Sequence, residues 1–222
     1  MSEPFISYLV TCKNTGVSLK ILLDRLVKYS QNNECIILDD YSDDPDTLQV
    51  LEGVSNNNFF RVYKHSLNRN YSEHKNYGKS QCKGKYVFQI DDDELPSETL
   101  LENLNDLLEL NNQVELFWIP RINDFKGVNN QNAAQWGWKL TPYEDRLIVN
   151  WPDPQGRLFK NLPHIEWKRR LHETIEGNKT YAHLPATFEL SLHHNKTIEK
   201  QIETNIKYNK LFTEEENKGF KV

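Results

Sequence analysis

The sequence predicts an α/β protein with an open, largely parallel sheet that is flanked by helices. Short apolar segments of strand length alternate with segments of helical periodicity over residues 1–120. The apolar segments are continuous, which is typical of a parallel sheet covered on both faces, whereas a half-exposed strand would alternate. Two of them run directly into acidic residues, at the strand ends where sheets of this kind bind ligands.

The predicted elements follow one another in a regular order. Strands at 5–10 and 35–38 enclose a helix with apolar residues at helical spacing, which predicts a βαβ unit; these are Leu19, Leu22, Leu23 and Leu26. The alternation continues with a helix around 48–54, a strand at 59–63, a helix at 72–82 and a strand at 86–90. Pro96 and Ser97 then begin a helix with a leucine stripe, and a strand follows at 114–119.

The pattern changes from Asn123 onward, where the sequence is rich in Asn and Trp and has weak periodicity. Residues 123–135 are expected to form either a mobile loop that orders over a ligand or an ordinary surface loop. A final helix is predicted from Ile198, Ile202, Ile206 and Leu211. Because no linker or internal repeat interrupts the chain, we predict a single domain over residues 1–222.

Composition excludes several classes of function. The 222 residues include 27 Lys and Arg against 32 Asp and Glu, a net charge of −5, so no basic field suggests a nucleic acid or an anionic membrane as partner. The 3 cysteines are widely spaced and form no C-x-x-C pair, so they suggest neither a disulfide framework nor a zinc knuckle, and we expect a reduced, cytoplasmic protein. No transmembrane segment is expected, since no apolar stretch reaches roughly 18 residues. The glycine motifs of dehydrogenases and P-loop enzymes are absent, which excludes both classes.

Acidic residues end two of the predicted strands. One strand runs into Asp39 and Asp40, and another into the run 91–94, which reads Asp-Asp-Asp-Glu. Alternate residues of an extended segment point the same way, so Asp91 and Asp93 are expected to face one hard cation. Carboxylate oxygens suit Mg²⁺ or Mn²⁺. The alternative is that these residues only end strands and cap the following helices.

Four segments, in order, resemble the inverting family 2 glycosyltransferases of the GT-A fold. They are Thr11-Cys12-Lys13-Asn14, the stretch IILDDYSDD, residues 68–78 and the stretch KGKYVFQIDDDE, which looks like the strand that leads into the family's D-x-D motif. Further segments resemble the bacterial lipopolysaccharide-core branch of that family, at 151–153, 156–159, 171–173 and 192–194. The first turn departs from the family pattern, because Cys12-Lys13-Asn14 replaces the usual Pro-x-Tyr-Asn.

The resemblance implies a GT-A (nucleotide-diphospho-sugar transferase) fold, with a mostly parallel Rossmann-like sheet flanked by helices. It implies a donor that is a UDP-sugar, an acceptor that is a saccharide or another hydroxyl compound, and Mn²⁺ or Mg²⁺ as cofactor. Residues 1–120 would then bind the nucleotide-sugar and metal, and residues 121–222 would supply the acceptor-binding half and the C-terminal helix. The sugar, the linkage, the acceptor and the oligomeric state are left open.

The resemblance also assigns roles to single residues. Glu173 is the expected catalytic base, with a surface ion pair to the run 168–170 as the alternative. The expected metal ligands are Asp93, Asp91, His193 and His194. The expected donor-binding residues are Thr11, Asn14, Asp39, Asp40, Asn68, Lys75, Asp91, Asp92, Arg157 and His172. For Asp39 and Asp40 the alternative is a role as turn formers, and for Arg157 it is a structural salt bridge. One or two of four tryptophans are expected to line the acceptor groove: Trp136, Trp138, Trp151 and Trp167.

Two competing functions stay open at this level. A binding module for nucleotide-sugars or glycans would keep the acidic turns without catalysing a reaction. A metal-dependent phosphoesterase would use the acidic run but would usually need several dispersed His and Asp ligands. The enzyme interpretation is preferred because the metal, nucleotide and base positions are all filled.

Overall fold

The computed structural model describes residues 3–213, so the end of the predicted domain, 214–222, lies outside the described residues. The strands are β1 (Ile6–Cys12), β2 (Asn33–Asp39), β3 (Phe60–Lys64), β4 (Tyr86–Asp91), β5 (Glu94–Pro96), β6 (Leu116–Ile119), β7 (Arg121–Lys126), β8 (Leu140–Tyr143), β9 (Arg146–Val149), β10 (Gln155–Lys160), β11 (Glu166–Lys168), β12 (Thr174–Glu176), β13 (Tyr181–His183) and β14 (Leu192–Thr197). The α-helices are α1 (Gly16–Leu26), α2 (Pro45–Val54), α3 (Tyr71–Gln81), α4 (Glu98–Leu110), α5 (Asn130–Trp136) and α6 (Ile198–Leu211).

The main sheet has 7 strands in the order β13-β6-β10-β4-β1-β2-β3. Strands β1, β2, β3 and β4 are mutually parallel, β13 is parallel to β6, and β10 lies antiparallel between β4 and β6. Helices connect the parallel strands in the predicted order. The predicted fold class, a mostly parallel α/β sheet flanked by helices, is therefore confirmed.

Both faces of this sheet are covered, as the continuous apolar strands predicted. Tyr8 and Leu9 are neighbours on β1 and point to opposite faces, yet both are at most 1% exposed. Tyr8 packs into one apolar cluster with the leucines of α1, and Leu9 packs into a second cluster with Ile36 and Trp167. Burial on both faces explains why β1 does not alternate between apolar and polar residues.

Helix caps account for part of the polar sequence between the strands. Ser97 caps α4 by accepting a hydrogen bond from the backbone N–H of Leu100, as the Pro-Ser pair predicted. Asp44 caps α2 by accepting one from the N–H of Thr47 at 2.8 Å. The stretch IILDDYSDD thus ends in a residue that caps a helix, and capping was the alternative to ligand binding for acidic residues after a strand.

A second sheet of 5 strands, ordered β5-β14-β7-β9-β8, was not predicted. Both loop interpretations of residues 123–135 are wrong for most of that segment, because β7 extends to Lys126 and α5 begins at Asn130. Asn129 caps this helix through the N–H groups of Gln131 and Asn132. The second sheet positions the site, since β14 pairs with β5 and places His194 opposite Glu94.

Among residues 3–213, no helix combines the length and the apolar character that crossing a membrane would require.

Candidate active site

A cleft of about 800 Å³ opens at the carboxyl ends of β1, β2 and β4. It lies where ligands bind in sheets of this type. Nine of the predicted site residues line it: Thr11, Asp40, Lys75, Asp91, Asp92, Asp93, His172, Glu173 and His194. The cleft thus brings together residues that are up to 183 positions apart, from Thr11 on β1 to His194 on β14.

Other predicted site residues lie elsewhere and correct the expected set. Asn14 joins two turns, since its Oδ1 accepts the N–H groups of Asp43 and Asp44. Asp39 is fully buried and accepts the N–H of Ser42 at 2.9 Å, which is the turn-forming alternative. Asn68 is exposed in a turn with a φ of 44° and does not line the cleft.

Asp40 lines the cleft, whereas Asp39 does not. Its Oδ1 accepts the backbone N–H of Leu67 at 2.8 Å, and its Oδ2 lies 3.9 Å from the Lys13 ammonium. The Lys13 side chain also donates to the carbonyl of Tyr41 at 2.9 Å. These bonds fix the carboxyl group of Asp40 at the cleft wall, beside polar backbone.

Asp91 lines the cleft, but protein groups contact both of the carboxylate oxygens that the i, i+2 spacing predicted for a cation. Its Oδ1 accepts hydrogen bonds from Thr11 Oγ1 at 3.1 Å and Gln89 Nε2 at 2.7 Å, and it lies 3.3 Å from Lys75 Nζ. Its Oδ2 accepts one from Arg157 Nη2 at 2.6 Å. Burial would raise the pKa of Asp91, but Arg157 and Lys75 hold it well below its ordinary value. The residue is therefore an anion whose two oxygens are already held by protein groups.

Asp92 turns back toward the loop after β1. Its Oδ2 accepts the N–H of Lys13 at 3.1 Å and the hydroxyl of Thr15 at 2.8 Å. Burial, and then repulsion from Asp93, raise the pKa of Asp92 to about 7. Asp92 therefore stabilises the loop after β1 at the edge of the cleft.

Asp93 and His194 bring a carboxylate oxygen and an imidazole nitrogen close together in the cleft. Asp93 Oδ2 lies 3.3 Å from His194 Nε2, and Asn123 Oδ1 lies 2.8 Å from the other ring nitrogen, Nδ1. The Asn123 amide nitrogen donates to Asp153 and to the carbonyl of Val149, so its Oδ1 must accept from His194 Nδ1–H. With the Nδ1 proton directed at Asn123, Nε2 is the ring nitrogen that faces Asp93.

His193 faces away from this pair, which corrects its expected role as a ligand. Successive residues of β14 point to opposite faces of the sheet, so His194 and Lys196 share the cleft face and His193 does not. Burial, and then the positive charges of Arg25 and Arg146, lower the pKa of His193. The carboxylate of Asp124 opposes this effect only in part.

Glu173 is held by a buried lysine. Lys75 Nζ lies 2.6 Å from Glu173 Oε1, 3.3 Å from Asp91 Oδ1 and 3.2 Å from Gln89 Oε1. Only 3% of Lys75 is exposed. This partner is a buried amine on α3, in contrast to the surface ion pair with residues 168–170 that was the alternative. Lys75 thus links the expected base to the acidic end of β4.

Arg157 forms the structural salt bridge that was the alternative to donor binding. Its Nη2 donates to Asp91 at 2.6 Å and to Glu94 Oε1 at 2.8 Å. Glu94 is 2% exposed and also accepts from Arg121, which pairs in turn with Asp153.

The β10–β6 register shifts between Gly156 and Leu158, and such a bulge redirects a side chain. Arg157 lies outside the 800 Å³ cleft and supports its floor.

Sequence reasoning missed several residues that line the cleft, notably Arg121, Asn123, Lys196 and Tyr208. Alternation along β14 would have identified Lys196 had that strand been recognised. Of the tryptophans, Trp136 and Trp138 line the cleft, with ring centroids 4.6 Å apart. Trp151 stacks on Phe188, and Trp167 packs edge-on against Phe159 in the core.

The comparisons with known proteins decide the family. A family profile described as "Glycosyl transferase family 2" matches residues 7–172. The chain belongs to glycosyl transferase family 2. This confirms the predicted family, whereas the resemblance to the lipopolysaccharide-core branch stays a prediction. Comparison with proteins of curated function finds no significant match.

Solved structures that resemble this family 2 chain include S. aureus TarS. The crystal structure of TarS superposes with a TM-score of 0.61 at 15% identity, over 90% of this chain and 38% of that one. TarS 1–349 in complex with UDP-GlcNAc gives a TM-score of 0.58 at 16% identity, over 86% and 58% of the two chains. The match confirms the GT-A fold. The chain spans less than two thirds of the length of these structures.

The residues at the family 2 cleft fit a divalent cation of the Mn²⁺ or Mg²⁺ type. The described part of the chain contains no cluster of three or more His, Cys, Asp or Glu side chains arranged for a metal. Asp93 and His194 nevertheless supply an oxygen and an imidazole nitrogen, and Asn123 fixes the ring as an outer partner commonly does. Cations of this kind usually take one or two protein ligands and complete their shell with substrate phosphates and water.

His74 gives the fold a predicted dependence on pH. The residue is 4% exposed, and its Nδ1 lies 3.2 Å from Nδ1 of His65. Burial, and then His65, lower the pKa of His74 from 6.5 to about 4. As the pH falls from 6.5 toward 4, the unfolded chain takes up a proton that the folded protein does not. The contribution of His74 to the free energy of unfolding is therefore fully present above pH 6.5 and decreases as the pH falls toward 4.

When the pH falls from 7 to 5, we expect the free energy of unfolding to decrease by about 2 kcal/mol because of His74. Urea unfolding of wild type and His74→Gln at both pH values measures it, because the variant should lack that part of the pH slope. His164→Gln, at an exposed position, is the control and should keep the wild-type slope. Equal slopes for wild type and His74→Gln would contradict the prediction.

Proposed function

We propose that the protein is a metal-dependent inverting glycosyltransferase that moves a sugar from a UDP-sugar to a hydroxyl group of a saccharide. One observation carries this proposal. A single cleft contains the Asp93–His194 pair and the carboxylate of Glu173, and Lys75 joins Glu173 to Asp91 through contacts of 2.6 and 3.3 Å. The groups needed at the donor and the group needed at the acceptor therefore face the same space.

The donor end is assigned to Asp40, Thr11 and the acidic turn after β4. Asp40 is positioned to accept a hydrogen bond from the nucleobase, since its carboxyl group is fixed at the cleft wall by the N–H of Leu67. UDP-GlcNAc is the ligand in a TarS structure with the same fold, which supports a UDP-sugar as the donor class. Lys196 and Arg121 add positive charge to the cleft for the diphosphate.

Asp93 and His194 are the residues that would hold the cation. When bound, Mn²⁺ or Mg²⁺ would act as a Lewis acid that neutralises the charge of the departing diphosphate. Asn123 keeps His194 Nε2 directed at Asp93, and Asp153 keeps Asn123 in place through a 2.7 Å hydrogen bond. Asp91 has a different role, because its bonds to Arg157 and Lys75 make it the anchor of the cleft floor.

Glu173 is the proposed base. In an inverting transfer the acceptor oxygen attacks the anomeric carbon while the bond from that carbon to the diphosphate breaks, and the base takes the hydroxyl proton. Lys75 keeps Glu173 in place by a charged hydrogen bond to Oε1, which assigns the proton to Oε2. The side chain of Glu173 is 15% exposed, so little water competes for that position.

The proposal predicts that Mn²⁺ strengthens UDP binding through Asp93 and His194. Asp93→Asn and His194→Ala should each lower the affinity for UDP in the presence of Mn²⁺ by roughly 10–100-fold, and should change it much less without metal. Isothermal titration of UDP with and without Mn²⁺ measures both effects. His193→Ala is a matched control, since this neighbour lies on the other face of β14 and should bind like wild type.

Turnover separates the competing functions. Wild-type protein incubated with a panel of UDP-sugars and Mn²⁺ should release UDP. Tight UDP binding without release from any member of the panel would favour a non-catalytic binding module. Phosphate release from model esters, with no effect of UDP, would favour a phosphoesterase.

A further inference from the structure

We propose that a second, smaller cavity, on the far side of Glu173 from the donor cleft, binds the sugar ring of the acceptor. This cavity has a volume of about 250 Å³, compared with about 800 Å³ for the cleft. Gln155, His172 and Glu173 line both spaces and form the wall between them. The inference rests on the proposed function, because it assigns the acceptor side of that same reaction.

The position of the cavity suits the acceptor rather than the donor. The groups assigned to UDP and to the cation, Asp40, Asp93 and His194, line only the larger cleft. A base must touch the acceptor hydroxyl on the side of the anomeric carbon that faces away from the leaving diphosphate. A ring held in the smaller cavity would direct one hydroxyl group past Glu173 into the donor cleft.

The lining of the cavity combines aromatic and polar groups in the way of small-molecule sites. Trp118 supplies indole surface, and Gln155 and Thr174 supply groups that can donate and accept hydrogen bonds. Trp118 is only partly buried and stacks on His183, with ring centroids 5.8 Å apart. An aromatic wall with a few hydrogen-bonding groups fits a sugar ring, which has C–H faces and a hydroxyl rim.

The fold explains why a space exists here. The β10–β6 register shifts between Gly156 and Leu158, and such a bulge bends the strand locally. Gly156 adds no side chain to fill the gap, and a Cβ at this position would lie 3.6 Å from Leu116 and 3.7 Å from the Trp118 ring. Both of those neighbours line the cavity. A larger side chain at 156 would therefore grow into it.

The reaction balances with these groups. The acceptor hydroxyl oxygen forms a bond to the anomeric carbon, the bond from that carbon to the diphosphate breaks, and UDP leaves with the bonding electrons. The hydroxyl proton passes to Glu173. No oxidant or further reactant is needed.

Variants that fill or widen the cavity test this assignment, with sugar transfer and UDP release measured separately. Wild type, Gly156→Leu, Gly156→Ala and Trp118→Ala are incubated with a UDP-sugar and a panel of p-nitrophenyl glycosides, and glycosylated product and free UDP are both measured. Gly156→Leu and Trp118→Ala should lower product formation at least about 10-fold through a higher KM for the glycoside. UDP affinity and UDP release without acceptor should stay at wild-type levels. Gly156→Ala should remain active, since its Cβ meets ordinary contacts.

Each outcome bears on one proposal. If wild type releases no UDP from any UDP-sugar, the proposed function itself fails. If wild type releases UDP but glycosylates no member of the panel, or if Gly156→Leu and Trp118→Ala transfer as wild type does, the acceptor assignment is overturned. If Gly156→Leu does not fold, Trp118→Ala alone decides the assignment by the same criterion.

Discussion

Replacing Glu173 with glutamine should lower sugar transfer by about 10²–10⁴-fold, the usual contribution of a general base. The amide keeps the size of the side chain and can still accept a hydrogen bond from Lys75, which lies 2.6 Å from Oε1 in the wild type. It cannot take the proton of the acceptor hydroxyl. UDP binding should stay near its wild-type level, because Glu173 pairs with Lys75, whereas the nucleotide and the cation are assigned to Asp40, Asp93 and His194. Product formation and UDP titration, measured on the same preparation, check both parts.

Glu176→Gln is the matched control for this variant. Glu176 lies three residues further along the chain on β12, is exposed and does not line either cavity. It should transfer as wild type does. Full transfer by Glu173→Gln would remove Glu173 as the base, and an equal loss of UDP binding would indicate that the carboxylate serves the donor instead.

Much of the first half of the fold could be predicted from local sequence. The predicted helix at 72–82 and strand at 86–90 agree with α3 and β4 to within one residue at each end. Local signals suffice there because a fully buried parallel strand is a continuous apolar run, and because Ser97 caps the next helix in the ordinary way.

The second half could not be predicted because its pairings are between distant segments. Strand β10 inserts between β4 and β6, and β14 pairs with β7, about seventy residues earlier. Strands of three to six residues with polar ends carry little periodic signal, and their partners determine them. The Asn-rich segment around 123 was interpreted as a loop for the same reason.

The candidate site shows the same limit at the level of single side chains. The acidic run after β4 was recognisable, but the i, i+2 rule assumed an extended segment, and β4 ends at Asp91. What separates Asp91 from Asp93 is which partners reach them: Arg157 and Lys75 reach the first, and His194 reaches the second. Those partners come from β10, α3 and β14, and no local pattern indicates that they meet.

Replacing Arg157 with methionine should destabilise the protein by about 3–5 kcal/mol, which is typical of a buried ion pair that loses one partner. Asp91 and Glu94 would keep their negative charges close together, and Glu94 is 2% exposed. Burial would lower the pKa of Arg157, but these two carboxylates raise it, so the guanidinium stays charged. Arg121 could offset only part of the loss, since it also pairs with Asp153. Urea unfolding at pH 7 measures the change in the free energy of unfolding.

Two further variants separate the loss of charge compensation from a general effect of losing an arginine. Arg146→Met removes an arginine whose side chain is 44% exposed and pairs with Asp124, so it should cost only about 0–1 kcal/mol. Adding Glu94→Gln to Arg157→Met removes one of the two carboxylates that lose Arg157, and should recover part of the lost stability even though both substitutions disturb the same contacts. Two results would contradict this account and indicate that packing, not charge, stabilises the cleft floor. One is a free energy of unfolding for Arg157→Met within about 1 kcal/mol of the wild-type value. The other is a double variant that is less stable than Arg157→Met.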